Sequence, residues 1–184
     1  MRIVAGQWRG RKLSAPPGEA TRPTADRARE TLFSMLVSRL GTFEGLSVAD
    51  LFAGSGALGL EALSRGAALC LFVEQDAAAL RALRANIAAL HAQPVSEVRA
   101  GSALALGPAK APLDLILLDP PYASGSGAVA LDKLARLGWI GSATWVCLET
   151  GIAEVPLVTA LEAVAERKVG KAKLTLFRLA GAPD

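Results

Sequence analysis

Side chains that ligate metals are scarce in this chain. It has one histidine, His91, and two cysteines, Cys70 and Cys147, among 184 residues. The cysteines lie in separate apolar runs, away from any partner at ligand spacing, which argues against a metal site and reads as reduced core residues. No apolar run reaches the roughly 18 residues of a membrane span. The start, Met1-Arg2-Ile3-Val4-Ala5-Gly6-Gln7-Trp8-Arg9, lacks the apolar core of a signal peptide. Repeats and low-complexity segments are missing too. What remains is a cytoplasmic globular chain with no membrane partner, and 52% hydrophobic residues are ample for one core.

An excess of one charge is also nearly absent, at +3 overall. Its placement is uneven. Residues 1–40 hold eight Arg or Lys against three acids, a balance of +5, so the remainder balances at −2. A basic arm on a near-neutral body points to a polyanionic partner such as a nucleic acid.

The pattern predicts an extension over 1–45 and a second unit over 46–184. In the extension, Arg2-Ile3-Val4-Ala5 and Arg11-Lys12-Leu13 read as a hairpin turning through Trp8-Arg9-Gly10. Pro16, Pro17 and Gly18 read as a loop. A helix follows to about Arg39, with Thr24 or Asp26 as its cap and Leu32, Phe33, Leu36 and Leu40 on one face. From residue 46, strands at 47–52, 69–74, 95–100, 113–118 and 144–149 alternate with helices at 57–65, 76–91 and 126–137. Short apolar strands between helices imply an α/β fold, a mostly parallel sheet covered on both faces. Glu162–Val169 and Lys173–Leu179, around Gly170, read as a closing antiparallel hairpin.

Two loops carry chemistry. The first is Asp50-Leu51-Phe52-Ala53-Gly54-Ser55-Gly56-Ala57-Leu58-Gly59, a strand, a glycine turn and a helix start. Glycines there permit a tight turn and close approach of backbone to a ligand at a helix N-terminus. Gly54, Gly56 and Gly59 satisfy the dinucleotide spacing, so the loop alone leaves a nicotinamide dinucleotide and S-adenosylmethionine both open. Asp50 favours the second, because a carboxylate suits a sulfonium or ammonium group and repels a pyrophosphate. Glu74, closing the next strand, is placed for the ribose hydroxyls. Gln75 and Asp76 follow on the adenine side, and Ser102 and Ala103 fall at the adenine edge.

The second loop is Asp119-Pro120-Pro121-Tyr122, directly after Leu113-Asp114-Leu115-Ile116-Leu117-Leu118. The lone pair of an exocyclic amine is delocalised into its base. Two acceptors aimed at the amine hydrogens, the Asp119 carboxylate and the Pro120 carbonyl, draw it towards a nucleophilic geometry. Prolines fix those acceptors in advance, and Tyr122 offers a ring to stack on an extruded base.

With both loops in view, the chain resembles class I S-adenosylmethionine-dependent methyltransferases that act on nucleic-acid amino groups. More narrowly, it resembles the bacterial 16S ribosomal RNA (guanine-N2) methyltransferase D family. Arg2-Ile3-Val4-Ala5-Gly6-Gln7-Trp8-Arg9-Gly10-Arg11-Lys12-Leu13 carries the narrower likeness, as does Arg22-Pro23-Thr24-Ala25-Asp26-Arg27-Ala28-Arg29-Glu30-Thr31-Leu32-Phe33. Leu51 to Gly66 continues it.

The resemblance implies a Rossmann-like seven-stranded sheet, S-adenosyl-L-methionine as cofactor, and one guanosine of 16S rRNA as target. It implies that the partner is an assembled or assembling small subunit; the enzyme itself is expected to be a monomer. Arg22, Thr24 and Arg27 fall in the family's segment near the cofactor and RNA entrance. Arg2, Trp8, Arg9, Arg11 and Lys12 are expected to contact RNA, with Arg167, Lys168, Lys171 and Lys173 as a second basic group. The family's acid or amide at one adenine-side position is Ser102 here. Three other readings compete: a DNA adenine-N6 methyltransferase, which usually carries a separate recognition region; a nicotinamide oxidoreductase, which leaves Asp119–Tyr122 unexplained; and a non-catalytic RNA-binding assembly factor.

Overall fold

The computed structural model describes residues 1–16 and 23–181, with the side chains of the second stretch from Asp26 onward. Its strands are β1 (Ser47–Leu51), β2 (Leu69–Glu74), β3 (Ser96–Ala100), β4 (Leu115–Leu118), β5 (Trp145–Gly151), β6 (Leu161–Val169) and β7 (Ala172–Leu179). They form one sheet in the order β3-β2-β1-β4-β5-β7-β6. β1 to β5 run parallel, and β7 inserts antiparallel between β5 and β6.

Both faces are covered, which is why the central strands are continuously apolar. Val48, Phe72, Leu117 and Cys147 share one core with α1 (Pro23–Leu40), α2 (Ala57–Ser64) and α3 (Ala77–Ala89), through Phe33, Leu36, Leu60, Leu63 and Leu83. Ala49, Val73, Ile116 and Leu148 face the other way, onto α4 (Ser126–Arg136), through Ala130, Leu131 and Leu134. Ile3, Leu13 and Phe43 of the first 45 residues lie in the first of these cores. Cys70 and Cys147 are free and buried, and burial pushes both thiols up, as expected of inert core cysteines.

Strand order reverses at β1, whose neighbours are β2 and β4. In open α/β sheets the crevice beyond such a reversal receives ligands. The glycine loop leaves β1 at this point, and Asp119–Tyr122 leaves β4 beside it.

Several local expectations need correction. Residues 2–13 fold back antiparallel as the hairpin reading expects, but around a single bridge rather than two full strands. The segment's only ladder is the Arg2–Lys12 bridge, flanked by bonds from Ile3 N to Arg11 O and from Leu13 N to Met1 O, 2.9 and 3.0 Å. Bonds from Gly10 N to Ile3 O, Arg9 N to Gly6 O and Arg11 N to Trp8 O close it further from within, and groups of α1, α2 and α3 supply its other partners. Asp26 does not cap α1. Pro23 opens that helix, a favoured first position because its missing N–H would have no partner there, and Asp26 pairs with Arg29 at 3.0 Å. β4 starts at Leu115, two residues late, because Asp114 turns back to accept from Ser47 N and Oγ. Lys173 is 5% exposed and bonds Glu154 O and Glu166, so it leaves the second basic group. Arg167, Lys168 and Lys171 are exposed. Among the described residues, no helix is long and apolar enough to cross a membrane.

Candidate active site

Three glycines in the first loop do different work. A Cβ on Gly59 would lie 2.4 Å from the Phe72 ring and 2.6 Å from Cys70 Sγ. On Gly56 it would lie 2.4 Å from Leu83. These two glycines let α2 and α3 close onto β2. Gly54, at φ +55°, faces open space and is the one available to a ligand. The backbone between strand and helix is taut, since Phe52 adopts φ 59° without being glycine, a conformation that is costly for an aromatic residue. Ala53 and Ser55 are buried within the turn.

Asp50 is 1% exposed and accepts from Gly59 N at 2.8 Å. Burial holds its carboxyl well above the usual range; the Gly59 amide opposes this, and the charges of Asp119 and Glu74 add to it. Asp50 thus braces the start of α2 from beneath. Glu74 reaches across instead. Its Oε2 accepts from Gly54 N at 2.7 Å, and its Oε1 from Gln75 N and Asp76 N at 2.8 and 2.7 Å. A carboxylate offers about four acceptor sites, so one on Oε2 is left for a hydroxyl. Gln75 is exposed. Asp76 caps α3 through Ala79 N at 2.8 Å. The Ser102 hydroxyl accepts from Leu104 N at 3.2 Å, which leaves its O–H and the backbone to read an adenine edge. Ala103 is buried below it.

This donor set fits S-adenosylmethionine. The charges of Asp119 and Glu74 both act on Asp50, so negative charge gathers where a cationic ligand would sit. Gly54 leaves room above it. A pyrophosphate would meet that charge unfavourably, which removes the reason to prefer a dinucleotide.

The second loop is built from both neighbouring strands. Asp119 is exposed, Pro120 is buried, and Pro121 and Tyr122 are exposed again. Tyr122 Oη donates to Glu149 Oε1 at 2.9 Å. Burial first, then the Glu149 charge, pushes the phenol up, so it remains a donor. Burial raises Glu149 as well, and the bond from Tyr122 opposes that rise. Ala123 takes φ 58°, and its amide is held by Glu154 Oε1 at 2.9 Å, which also accepts from Gly151 N at 2.8 Å. These amides pull Glu154 below its ordinary value. Among the described residues, two of the three non-glycine residues with positive φ, Phe52 and Ala123, therefore sit in or directly after these two loops. A cleft of about 400 Å³ opens here, lined by Pro120 to Gly125, Leu148 to Thr150 and Glu154 to Leu157. A groove of about 460 Å³ lies elsewhere, between Val4, α1 and Arg65, away from the strand-end carboxylates.

Sequence reasoning missed Glu149, Glu154, Glu61 and Asn86. Asn86, 2% exposed, clamps two segments. Its Oδ1 accepts from Ser14 N at 2.8 Å, and its Nδ2 donates to Ser14 O and Ser55 O, each at 2.9 Å. It thereby ties the N-terminal segment to the glycine loop. Glu61, 0% exposed, accepts from Val4 N and Ala5 N at 2.7 and 3.0 Å and pairs with Arg65 at 2.8 Å. A lone acid in the apolar run of α2 was the available signal.

That anchoring fixes the expected RNA-contacting residues. Arg2, Arg9, Arg11 and Lys12 have exposed side chains, while Trp8 packs partly against the core. The Arg11 guanidinium also donates to Ala89 O, at the end of α3, at 2.7 Å. Arg27 is exposed on α1. Arg22 and the side chain of Thr24 lie outside the described residues.

Comparison with known proteins agrees with this arrangement. A family model described as Conserved hypothetical protein 95 matches residues 1–178. The chain is 38% identical over 170 residues to ribosomal RNA small subunit methyltransferase D of Escherichia coli K12, spanning 92% of this chain and 84% of that protein. The enzyme of the same name from Haemophilus influenzae is 38% identical, over 86% and 82% of the two chains. The solved structure of yhhF from Escherichia coli superposes with a TM-score of 0.84 at 36% identity, covering 97% of each chain. The fold alone is shared with magnesium protoporphyrin IX methyltransferase from Synechocystis, solved with bound SAM, at a TM-score of 0.64, 12% identity and coverage of 88% and 86%. The chain belongs to the ribosomal RNA small subunit methyltransferase D family and is an S-adenosylmethionine-dependent methyltransferase with the class I fold.

Proposed function

We propose that this rRNA methyltransferase methylates the exocyclic N2 of one guanosine in 16S rRNA, within an assembled or assembling small subunit, as a monomer. One observation carries the reading. Asp119 and Pro120 stand at the end of β4, next to the glycine loop that leaves β1. An amine placed there has its hydrogens covered by fixed acceptors and its lone pair turned towards the cofactor side.

When bound, S-adenosylmethionine supplies an electrophilic methyl group. Gly54 and Glu74 are the residues to hold its amino-acid and ribose portions, with Asp50 supporting the loop below. The chain's work is positioning. Asp119 and the Pro120 carbonyl orient the amine, and the Asp119 carboxylate is at hand for the departing proton. The Tyr122 ring is braced by Glu149 and Glu154, so a base stacked on it is held by a rigid wall.

The basic N-terminal loop supports an RNA contact outside the cleft. Arg9→Ala combined with Arg11→Ala is expected to lower the slope of log affinity against log salt by about 1.4–1.8, because two phosphates are no longer neutralised. Filter binding of 16S rRNA across a salt series measures it, and an unchanged slope removes this loop from the interface.

The chemistry is tested by incubating the enzyme and labelled S-adenosylmethionine with small subunits from a strain that lacks it, then digesting the RNA for mass spectrometry. N2-methylguanosine is expected. N6-methyladenosine, or transfer to naked RNA alone, would overturn the reading.

A further inference from the structure

We propose that Glu149 reads the target base, selecting guanine by accepting its ring N1–H beside the amine that Asp119 holds. This rests on the guanosine reading above and names the residue that enforces it.

The first support is register. Leu115 to Leu118 of β4 pair in parallel with Trp145 to Leu148 of β5. Continuing that ladder by one residue sets Asp119 beside Glu149, on strands about 4.8 Å apart. Side chains alternate across a sheet, so both point the same way as Leu117 and Cys147, two residues before them in the first core. The two carboxyl groups therefore stand side by side above one face, at the mouth of the same crevice.

The second support is the cleft. Glu149 lines it with Pro120, Pro121 and Tyr122. Tyr122 Oη occupies Oε1 of Glu149 and steers the group. Among the described residues, no hydrogen bond reaches its Oε2. A half-buried carboxylate with one oxygen bonded and the other facing a cleft is a receptor for a donor.

The third support is the bases themselves. Guanine alone carries a ring N–H next to its exocyclic amine; adenine and cytosine carry an acceptor nitrogen there. A second carboxylate beside Asp119 thus completes a pair of acceptors for guanine and repels the other two. A site built around a substrate N–H strongly rejects analogues that lack it. A flipped base is commonly read on this edge.

The test pairs a change in the enzyme with a change in the base. Small subunits are reconstituted on 16S rRNA joined from synthetic pieces. The guanosine that the wild type converts to N2-methylguanosine is either retained or replaced by N1-methylguanosine. The wild type should lose about 100-fold in kcat/KM on the replaced substrate, where a buried charged acceptor loses its donor. Glu149→Ala should lose about 10- to 100-fold on the natural substrate, and its preference between the two substrates should fall to within a few-fold. Glu149→Gln, of the same size, presents one oxygen to two donors. It should bind S-adenosylmethionine as the wild type does and fall between the two. An undiminished preference in both variants, with cofactor binding intact, overturns the Glu149 assignment and leaves the guanosine reading standing. A wild-type product other than N2-methylguanosine overturns the guanosine reading itself.

Discussion

Asp119→Ala is expected to abolish methyl transfer, by at least about 10³-fold in kcat, while S-adenosylmethionine binding stays within a few-fold of the wild type. The division follows from where Asp119 sits. It is exposed at the end of β4, and the glycine loop is organised without it by Asp50, Glu74 and Asn86. Losing the carboxylate removes one of two fixed acceptors and the nearest base, while the bonds of Asp50, Glu74 and Asn86 to the glycine loop remain. Calorimetric titration with the cofactor and single-turnover transfer on small subunits measure the two halves. Asp119→Asn refines the result. An amide keeps one acceptor oxygen but cannot take a proton, so an intermediate rate assigns the remaining loss to charge rather than to orientation. Loss of cofactor binding in the alanine variant would move the site away from the β1–β4 crevice.

The two loops were legible because each keeps its chemistry in contiguous residues. A glycine turn after a strand, and a carboxylate with two prolines after another, need no partner from elsewhere to be noticed. The layered sheet was legible for a related reason: burial on both faces leaves no polar residue in Leu115-Ile116-Leu117-Leu118. What sequence could not show is which groups hold these loops in place. Glu149 bonds a residue 27 positions away, Glu154 one 31 away, and Asn86 one 72 away. Local periodicity carries nothing about such pairs. The roles of the glycines were also merged, because spacing does not distinguish a glycine that faces a ligand from one pressed against Phe72. One signal was used for Glu74 and Asp119 but not for Glu149. Glu74, Asp119 and Glu149 all stand at or near the C-terminal ends of parallel strands, where a carboxylate is costly unless a ligand or a backbone amide needs it. The antiparallel return at 2–13 was legible for the same reason as the loops, being local, whereas its seating on Glu61 and Ser64 of α2, some 56 residues on, was not.

Glu61→Ala is expected to be the most destabilising single change in the N-terminal half. It removes a fully buried acceptor from Val4 N, Ala5 N and the Arg65 guanidinium at once. Breaking one side of a buried ion pair costs about 3–5 kcal/mol. For a domain of this size that corresponds to a fall in Tm of roughly 6–20 °C, readable by circular dichroism. Arg65 also lies 4.8 Å over the Phe33 ring, so its release loosens α1 from α2. The consequence reaches function through the same groups. Glu61 and Ser64 of α2 are the seats for residues 4–8, and a Cβ on Gly6 would lie 1.8 Å from Ser64 O, which shows how closely the segment is pressed down. With that seat removed, Arg2, Arg9, Arg11 and Lys12 no longer share a fixed surface. RNA affinity should then fall at a temperature where the sheet is still folded, and proteolysis should begin within the first 16 residues. Cofactor affinity measured at the same temperature should fall less than RNA affinity, because Gly54 and Glu74 hold each other directly. A Tm within about 2 °C of the wild type, with protease resistance kept, would mean that the N-terminal loop is held by its apolar residues Ile3 and Leu13 alone and that the Glu61 cluster contributes no net stability.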